Sequence, residues 1–193
     1  MEAIKDLFSA KATAAAAEIK DLIKQHGEKK IGEITLAQVY QGMRGMTGLV
    51  TETSLLDAQE GIRFRGYSIP ELQAKLPKAK GGDEPLPEGL FYLMMVGEIP
   101  TEEDVKEITS NWQRRSHVPS HVFDVIDAFP LNAHPMTMYV AAVMALQTES
   151  KFSQEYAKGM NKKDYWQFTY DDSMDLISRL PRIAAYIYRR KYK

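Results

Sequence analysis

The apolar residues of this 193-residue chain recur at three- and four-residue intervals almost everywhere except across residues 42–72. That spacing lines them along one side of successive helices, so it confines the chain to a mainly helical fold with one irregular insert. Ile4, Leu7, Phe8, Ala12, Ala15, Ile19, Leu22 and Ile23 mark a first helix of about six turns. Its alanine-rich middle favours helix intrinsically, and Gly27 is its stop. Residues 34–40 predict one or two further turns.

Past the insert, glycine and proline punctuate the pattern. A brief helix over 72–76 ends at Pro77, residues 77–87 read as a surface loop, and a buried helix over 90–96 stops at Gly97. Thr101 caps a helix running to about Ser116, whose early acids Glu102, Glu103 and Asp104 suit the helix dipole. Pro119 and a cap at Ser120 open the next, which Pro130 closes just after Phe129. Residues 136–148 form a helix with almost no charge, which predicts burial on most faces. Residues 152–157 make a short helix. A long one follows from Lys163 to the end, with a kink or local break expected at Pro181.

The insert has a different grammar. Gly42, Gly45 and Gly48 at spacing three suit a tight loop that exposes backbone. Two short runs, 51–56 and 62–67, flank the turn chemistry of residues 57–61, giving a small β-hairpin near 51–67 with Gly61 free to take positive φ. Alternation in the second run puts Ile62 and Phe64 on one face and Arg63 and Arg65 on the other, near acids such as Glu52 and Glu60. Ser68 and Glu71 then read as a capping box. The fold class is therefore all-α with one hairpin, and 1–193 is expected to be one domain, or a large part of one, without an internal boundary.

Composition narrows the function classes. Lys and Arg number 25 against 26 Asp and Glu, a net charge of −1, which gives no electrostatic case for nucleic acid or an anionic membrane. No cysteine is present, excluding disulfides, thiol nucleophiles and Cys-based metal sites. No apolar run reaches the roughly 18–20 residues of a membrane span. The first helix is amphipathic, but Glu2, Asp6, Glu18 and Asp21 are foreign to an organelle transit peptide, so it reads as mature sequence.

Few residues carry the marks of a site. His26, His117, His121 and His134 are too scattered for metal spacing, and Pro119 separates the pair that stands four apart. They read as surface or capping histidines, with no metal ligand among them. The carboxylate pairs Glu102–Glu103 and Asp171–Asp172 read as a helix start and a solvated helix face. Lys162 and Lys163 read as an exposed pair at a helix start. Arg44 is the better candidate: flanked by Gly42 and Gly45, its guanidinium can approach a phosphate closely, or else tie down its own loop by bonding carbonyls.

The block GMRGMTGLVTETSLLDAQEGIRFRGYSIPE closely resembles the amino-terminal segment of eukaryotic-type citrate synthases. The resemblance continues through LPKAKGGDEPLPEGLF, GEIPTEE, VPSH, the pattern from Phe129 to Met136, and Tyr165–Trp166. It covers the chain from about Ile31 onward, in blocks of matching order and spacing. It implies an acyltransferase of the tricarboxylic acid cycle that condenses acetyl-CoA with oxaloacetate and hydrolyses citryl-CoA. It also implies a homodimer paired through helices of the 136–148 and 163–192 regions, in the mitochondrial matrix, with coenzyme A as co-substrate and no tightly bound cofactor. The family arginine of the GMRG block, linked to coenzyme A phosphate, is kept as Arg44. A second family arginine aligns with Lys162, which keeps the charge but loses the bidentate fork. The family's catalytic histidines and aspartate belong to motifs further along than Lys193, and none of the four histidines here matches one, so no catalytic residue is assigned. The chain is expected to be an amino-terminal portion, inactive alone. The competing reading is a non-catalytic helical dimerisation module derived from such an enzyme.

Overall fold

The computed structural model describes residues 3–46 and 48–193. Met1, Glu2 and Thr47 lie outside the described residues, so the acid at Glu2 and one position of the glycine block are not addressed. The chain divides into two compact units, Met1–Lys106 and Glu107–Lys193.

In the first unit, α1 (Ala3–His26) is the expected six-turn helix. Gly27 closes it through its N–H on Ile23 O at 2.8 Å, and a Cβ there would sit 2.5 Å from that same carbonyl oxygen, so only glycine fits. The apolar stripe is not covered along its length: Ile4 is buried, and α1 packs on α4, but Ile19, Leu22 and Ile23 are exposed. Next comes α2 (Leu36–Tyr40), opened by a capping box in which Thr35 and Gln38 satisfy each other's amides.

The expected hairpin is present and extended by a third strand. β1 (Ser54–Asp57) pairs antiparallel with β2 (Gly61–Phe64), and β2 with β3 (Tyr67–Ser68). Asp57 builds the first turn by accepting from the amides of Gln59 and Glu60 at 2.7 and 2.9 Å, and Gly61 takes φ of 85°. These amides hold the Asp57 carboxyl below the usual carboxylate range. The second reversal uses Arg65 and Gly66, both at positive φ. The continuous strand expected over 62–67 therefore breaks at Arg65, which leaves the Arg63 face.

Ser68 is the expected N-cap of α3 (Ile69–Lys75): Glu71 accepts from Ser68 N at 2.8 Å, and Ser68 Oγ accepts from Glu71 N at 3.5 Å. Pro77 forbids helical geometry at Leu76, and α3 stops there. The loop closes through a Lys78–Pro85 bridge into α4 (Pro87–Val96), which ends on Gly97 in the left-handed conformation. Leu72, Leu76 and Leu93 form the buried centre here, with Phe64, Tyr67, Leu90 and Ile99 packed against it. Thr101 and Asp104 open α5 (Glu102–Arg115) by a reciprocal pair of bonds.

The second unit takes up the end of α5 and contains α6 (Ser120–Asp127), α7 (Pro135–Ala145), α8 (Lys151–Ala157) and α9 (Tyr165–Tyr192). The cap of α6 is Pro119, not Ser120: proline's fixed φ already suits that position, and no side chain caps it. Val122 and Ile126 of α6, Met138 and Ala142 of α7 and Ile183 of α9 are 0% exposed and make one core with Val118, Leu146 and Ile187. α7 departs from its expected burial. Its neighbours in the unit are α6 and α9, so Met138 and Ala142 are covered while Met136, Val140 and Met144, four apart on the opposite side, are exposed.

Helix α9 runs unbroken through Pro181, so of the expected kink or local break the break does not occur. Proline removes one backbone bond, but Met174 and Ser178 before it and Ile183 and Ile187 after it are all buried, and that packing carries the helix across the gap. At its far end α9 holds the α6–α7 connection. Arg190 donates to Asp127 Oδ1, Asp127 O and Phe129 O at 2.7–2.9 Å, and Lys191 Nζ donates to Leu131 O and Ala133 O. Tyr186 OH donates to Asp127 Oδ2 at 2.7 Å, a bond that pushes its phenol above the usual range.

Candidate functional site

The candidate phosphate loop follows α2. Gly42, Met43 and Gly45 all take left-handed φ, 71°, 61° and 73°, which wraps the backbone tightly around Arg44. Arg44 is exposed and makes no hydrogen bond to the described residues, so its guanidinium faces solvent with its donors available. Gly42 and Gly45 need glycine's freedom in φ here.

Lys162 lies in the other unit and stands in a 3-10 turn, Lys162–Asp164, capped by Asn161, whose side chain accepts from Lys163 N at 3.1 Å. Both lysines are exposed, as their placement at a helix start suggests. Phe152, Tyr156 and Tyr165 cluster beside this turn with centroids 5.2–5.9 Å apart, Phe152 stacked on Tyr156 and edge-on to Tyr165. A cavity of about 360 Å³ adjoins it, lined by Glu155, Lys158, Gly159, Asn161 and Asp164 among others. Lys162 is not part of that lining, and the two acids make it a poor anion pocket.

The remaining charged residues have structural work. Arg63 pairs with Glu60 at 2.9 Å and Arg65 approaches Glu52 at 3.9 Å, the acids expected, although Arg65 does so from the reversal and not from the Arg63 face of the strand. Arg65 also donates to Met94 O at 2.8 and 3.2 Å, tying the sheet to the end of α4. Glu103 pairs with Lys106 in the first turn of α5. Asp171 and Asp172 are not a solvated face. Asp171 accepts from Arg115 at 3.3 Å, while Asp172 accepts from Ser150 Oγ and from the Lys151 and Phe152 amides at 2.6–3.1 Å. Asp175 completes the cluster, 2.6 Å from Arg115 and 3.2 Å from Lys151. Burial works to raise the Asp175 carboxyl, but the bonds from Arg115 and Lys151 outweigh it and hold it below the usual carboxylate range. This network joins α5, α8 and α9. Sequence spacing places Asp171 and Asp175 four apart on one helix face, but the partner at Arg115 is far away in the chain and carries no local signal.

The histidines are dispersed. His134 caps α7, its Nδ1 accepting from Met136 N at 3.2 Å, and His121 Nε2 meets Ala145 O at 3.1 Å. No cluster of three or more His, Cys, Asp or Glu suited to a metal occurs among the described residues, and no helix among them is long and apolar enough to cross a membrane. A groove of about 360 Å³ between α7 and α9 is lined by Pro135, Met136, Tyr139, Ile187, Tyr188 and Tyr192. Met136, which lines it, also belongs to the exposed row Met136, Val140 and Met144.

These features define a mainly helical protein with a three-stranded sheet, a solvent-facing arginine loop and an uncovered apolar helix face. The family model described as "Citrate synthase, C-terminal domain" matches residues 42–193. The chain belongs to the citrate synthase family. It is 53% identical over 190 residues to the mitochondrial citrate synthase of Kajikia audax, covering 98% of this chain and 40% of that one. It is 53% identical over 192 residues to that of Aspergillus niger, covering 100% and 40%. The chain thus spans about two fifths of the length of these curated relatives. Among solved structures it superposes on citrate synthase from Pyrobaculum aerophilum with a TM-score of 0.63, at 24% identity over 84% of this chain and 40% of that one. The citrate synthase of Thermoplasma acidophilum, solved as a ternary complex with carboxymethyl coenzyme A and oxaloacetate, gives 0.59 at 22% identity over 78% and 35%. These two share the fold.

Proposed function

We propose that this chain is an amino-terminal part of the large helical domain of a mitochondrial-type citrate synthase. The activity of the whole protein is acetyl-CoA plus oxaloacetate plus water giving citrate and free CoA, the entry step of the tricarboxylic acid cycle in the mitochondrial matrix. The single observation that carries this reading is 53% identity over nearly the full chain to citrate synthases named mitochondrial. In this reading both compact units belong to one domain.

Arg44 contributes a phosphate contact to coenzyme A, and Lys162 a second, weaker one, because an ammonium offers no bidentate fork. What supports Arg44 is its exposed guanidinium on a loop of left-handed residues. CoA is a substrate here, with no tightly bound cofactor. In this reading the enolising acid–base groups belong to other residues of the whole enzyme; among the described residues His134 caps α7 and His121 meets Ala145 O, which are structural roles. Thiol release from acetyl-CoA in the presence of oxaloacetate should be absent from the pure chain, and oxaloacetate-dependent release from it would overturn this assignment. In the whole enzyme, Arg44→Met should weaken CoA binding about tenfold while leaving pantetheine, which lacks the phosphates, unaffected.

A second reading is favoured by one observation, the exposed row of Met136, Val140 and Met144 beside the Tyr188–Tyr192 groove. In it, the 136–148 and 163–192 helices pair with a second copy, burying upwards of about 1,000 Å². Sedimentation tests it. A dimer dispersed by Val140→Glu supports it, and a strict monomer at high concentration removes it.

A further inference from the structure

The Arg44 loop has no core beneath it. Helix α2 buries no residue, and Gln41 to Gly45 are all exposed. Packing therefore does not hold the arginine, and the loop must be ordered against its own conformational entropy by other means. Met43 adds to the demand, since its φ of 61° is one that a residue with a side chain disfavours. Hydrogen bonds supply the restraint, and they converge on Gln38.

Gln38 meets the loop on both sides of Arg44. Its carbonyl oxygen accepts from Met43 N at 2.7 Å, the closing bond of a helix followed by a left-handed residue, here Gly42. Its side-chain amide lies against the other flank: a Cβ placed on Gly45 would be 4.0 Å from Gln38 Nε2. Between these two points Met46 N donates to Met43 O at 3.2 Å and Gly45 takes positive φ, which puts Arg44 at the corner of a type II turn.

The Gln38 side chain is itself held. Its Oε1 accepts from Thr35 N at 3.0 Å and from Thr35 Oγ at 3.2 Å, while Thr35 Oγ accepts from Gln38 N at 3.3 Å. The capping box thus fixes the side chain whose far end, Nε2, adjoins the loop. We propose that Gln38, clamped by Thr35, is the positioning residue for Arg44. It keeps the turn formed before coenzyme A arrives, so the guanidinium meets a phosphate without first ordering its loop. The role rests on the phosphate contact of Arg44 proposed above.

The test sets Gln38→Ala beside Arg44→Met in the whole enzyme. Gln38→Ala should raise KM for acetyl-CoA about fivefold with kcat at saturation retained, because only a fraction of loops is then competent to bind. Acetyl-pantetheine, which lacks the phosphates, should show no rise, whereas a merely structural weakening would penalise both substrates. Thr35→Ala should act in the same direction, and Thr35→Ser, which keeps the capping hydroxyl, should restore the ordinary KM. Gln38→Ala added to Arg44→Met should raise KM no further, since no contact is left to position. On the 193-residue chain, Gln38→Ala should abolish hydrogen-exchange protection of the Met43 and Met46 amides with the unfolding midpoint in place. An unchanged KM in Gln38→Ala while Arg44→Met weakens coenzyme A overturns the positioning role and leaves the phosphate contact standing. Ordinary coenzyme A affinity in Arg44→Met overturns the contact itself, and the positioning role with it. Additive losses in the double variant place Gln38 on another group and overturn the positioning role alone.

Discussion

In residues 107–193, Val122, Ile126, Met138, Met174 and Ile183 are fully buried. Across residues 19–56, Ile19, Leu22, Ile31, Leu36, Tyr40, Val50 and Leu56 are each 53–84% exposed. Both regions contain apolar residues at helical or strand spacing and both form regular backbone. They differ in what holds that backbone. α6, α7 and α9 bury large side chains against one another, and a charge network reaches from α5 to α8 and α9. α2 and β1 rest on local bonds: the Thr35–Gln38 capping box, the Asp57 turn and one strand pairing. Periodicity announces an amphipathic element, whereas the surface that covers its apolar side is a separate requirement, met in one region and not in the other.

The sharpest way to break this contrast is to delete the same kind of side chain in each. Ile183→Ala removes buried methyl groups from the centre of the second unit and should cost about 3–4 kcal/mol, the transfer term plus the cavity left behind. Leu22→Ala removes a side chain that is 60% exposed and should fall within about 0.5 kcal/mol of zero. Urea denaturation followed by circular dichroism measures both. Comparable losses at the two positions would mean that residues 19–56 are covered in solution.

Electrostatics gives the next largest effect. Arg115→Met removes the arginine from Asp171 and Asp175, whose side chains are only 21% and 13% exposed, leaves Lys151 on Asp175, and should cost about 2 kcal/mol once solvent screening is allowed for. Asp175 sets the sign of the pH response. Its folded carboxyl is held below the unfolded value, so its contribution is present above the ordinary carboxylate range and disappears as pH falls through the folded value. Stability should therefore drop on acidification below about pH 4, and Asp175→Asn should flatten that fall while lowering stability at neutral pH. An acid response unchanged in Asp175→Asn would show that the network carries no linkage.

What could be read in the residues alone follows the same division. Helices with punctuation at both ends were legible because the signals are local: Ser68 with Glu71, Thr101 with Asp104, Gly27, Gly97 and Pro77 each act within a few positions. The third strand was not. It depends on Arg65 adopting positive φ, stabilised by bonds to Met94 O, a partner twenty-nine positions away. Pro181 was legible only in part for a related reason, since the local rule forecasts a kink or a break and distant packing of Ile183 and Ile187 excludes the break. The candidate site divides similarly. Arg44 stood out through its flanking glycines, whereas Arg115 is unremarkable in sequence and acquires its role only from Asp171 and Asp175, which folding brings beside it.

Turn geometry supplies a smaller test. Gly61 sits at φ of 85° with open space around it, so Gly61→Ala meets no neighbour and should cost about 1 kcal/mol from backbone strain alone. Gly27→Ala has ordinary φ but a carbonyl 2.5 Å from the new Cβ, so its effect should be fraying of the last turn of α1. Because Ile19, Leu22 and Ile23 in the last two turns of α1 are exposed, this fraying should show in hydrogen exchange more than in global stability.

The least effect is expected at α2, and it isolates what a cap contributes when nothing is buried behind it. Thr35 and Ser68 both open helices through the same reciprocal bonding with a residue three positions on. α3 buries Leu72 in the first unit's core, so losing its cap loosens a packed element, and Ser68→Ala should cost about 1 kcal/mol. α2 buries no residue at all, and five residues are far below the length at which a helix persists on its own. Thr35→Ala should therefore leave the global unfolding midpoint in place while abolishing protection of the Val39 and Gln41 amides, which bond Thr35 O and Ala37 O. A midpoint shift as large as that of Ser68→Ala would show that α2 is packed against a surface after all, and the contrast between the two regions would then dissolve from its local end.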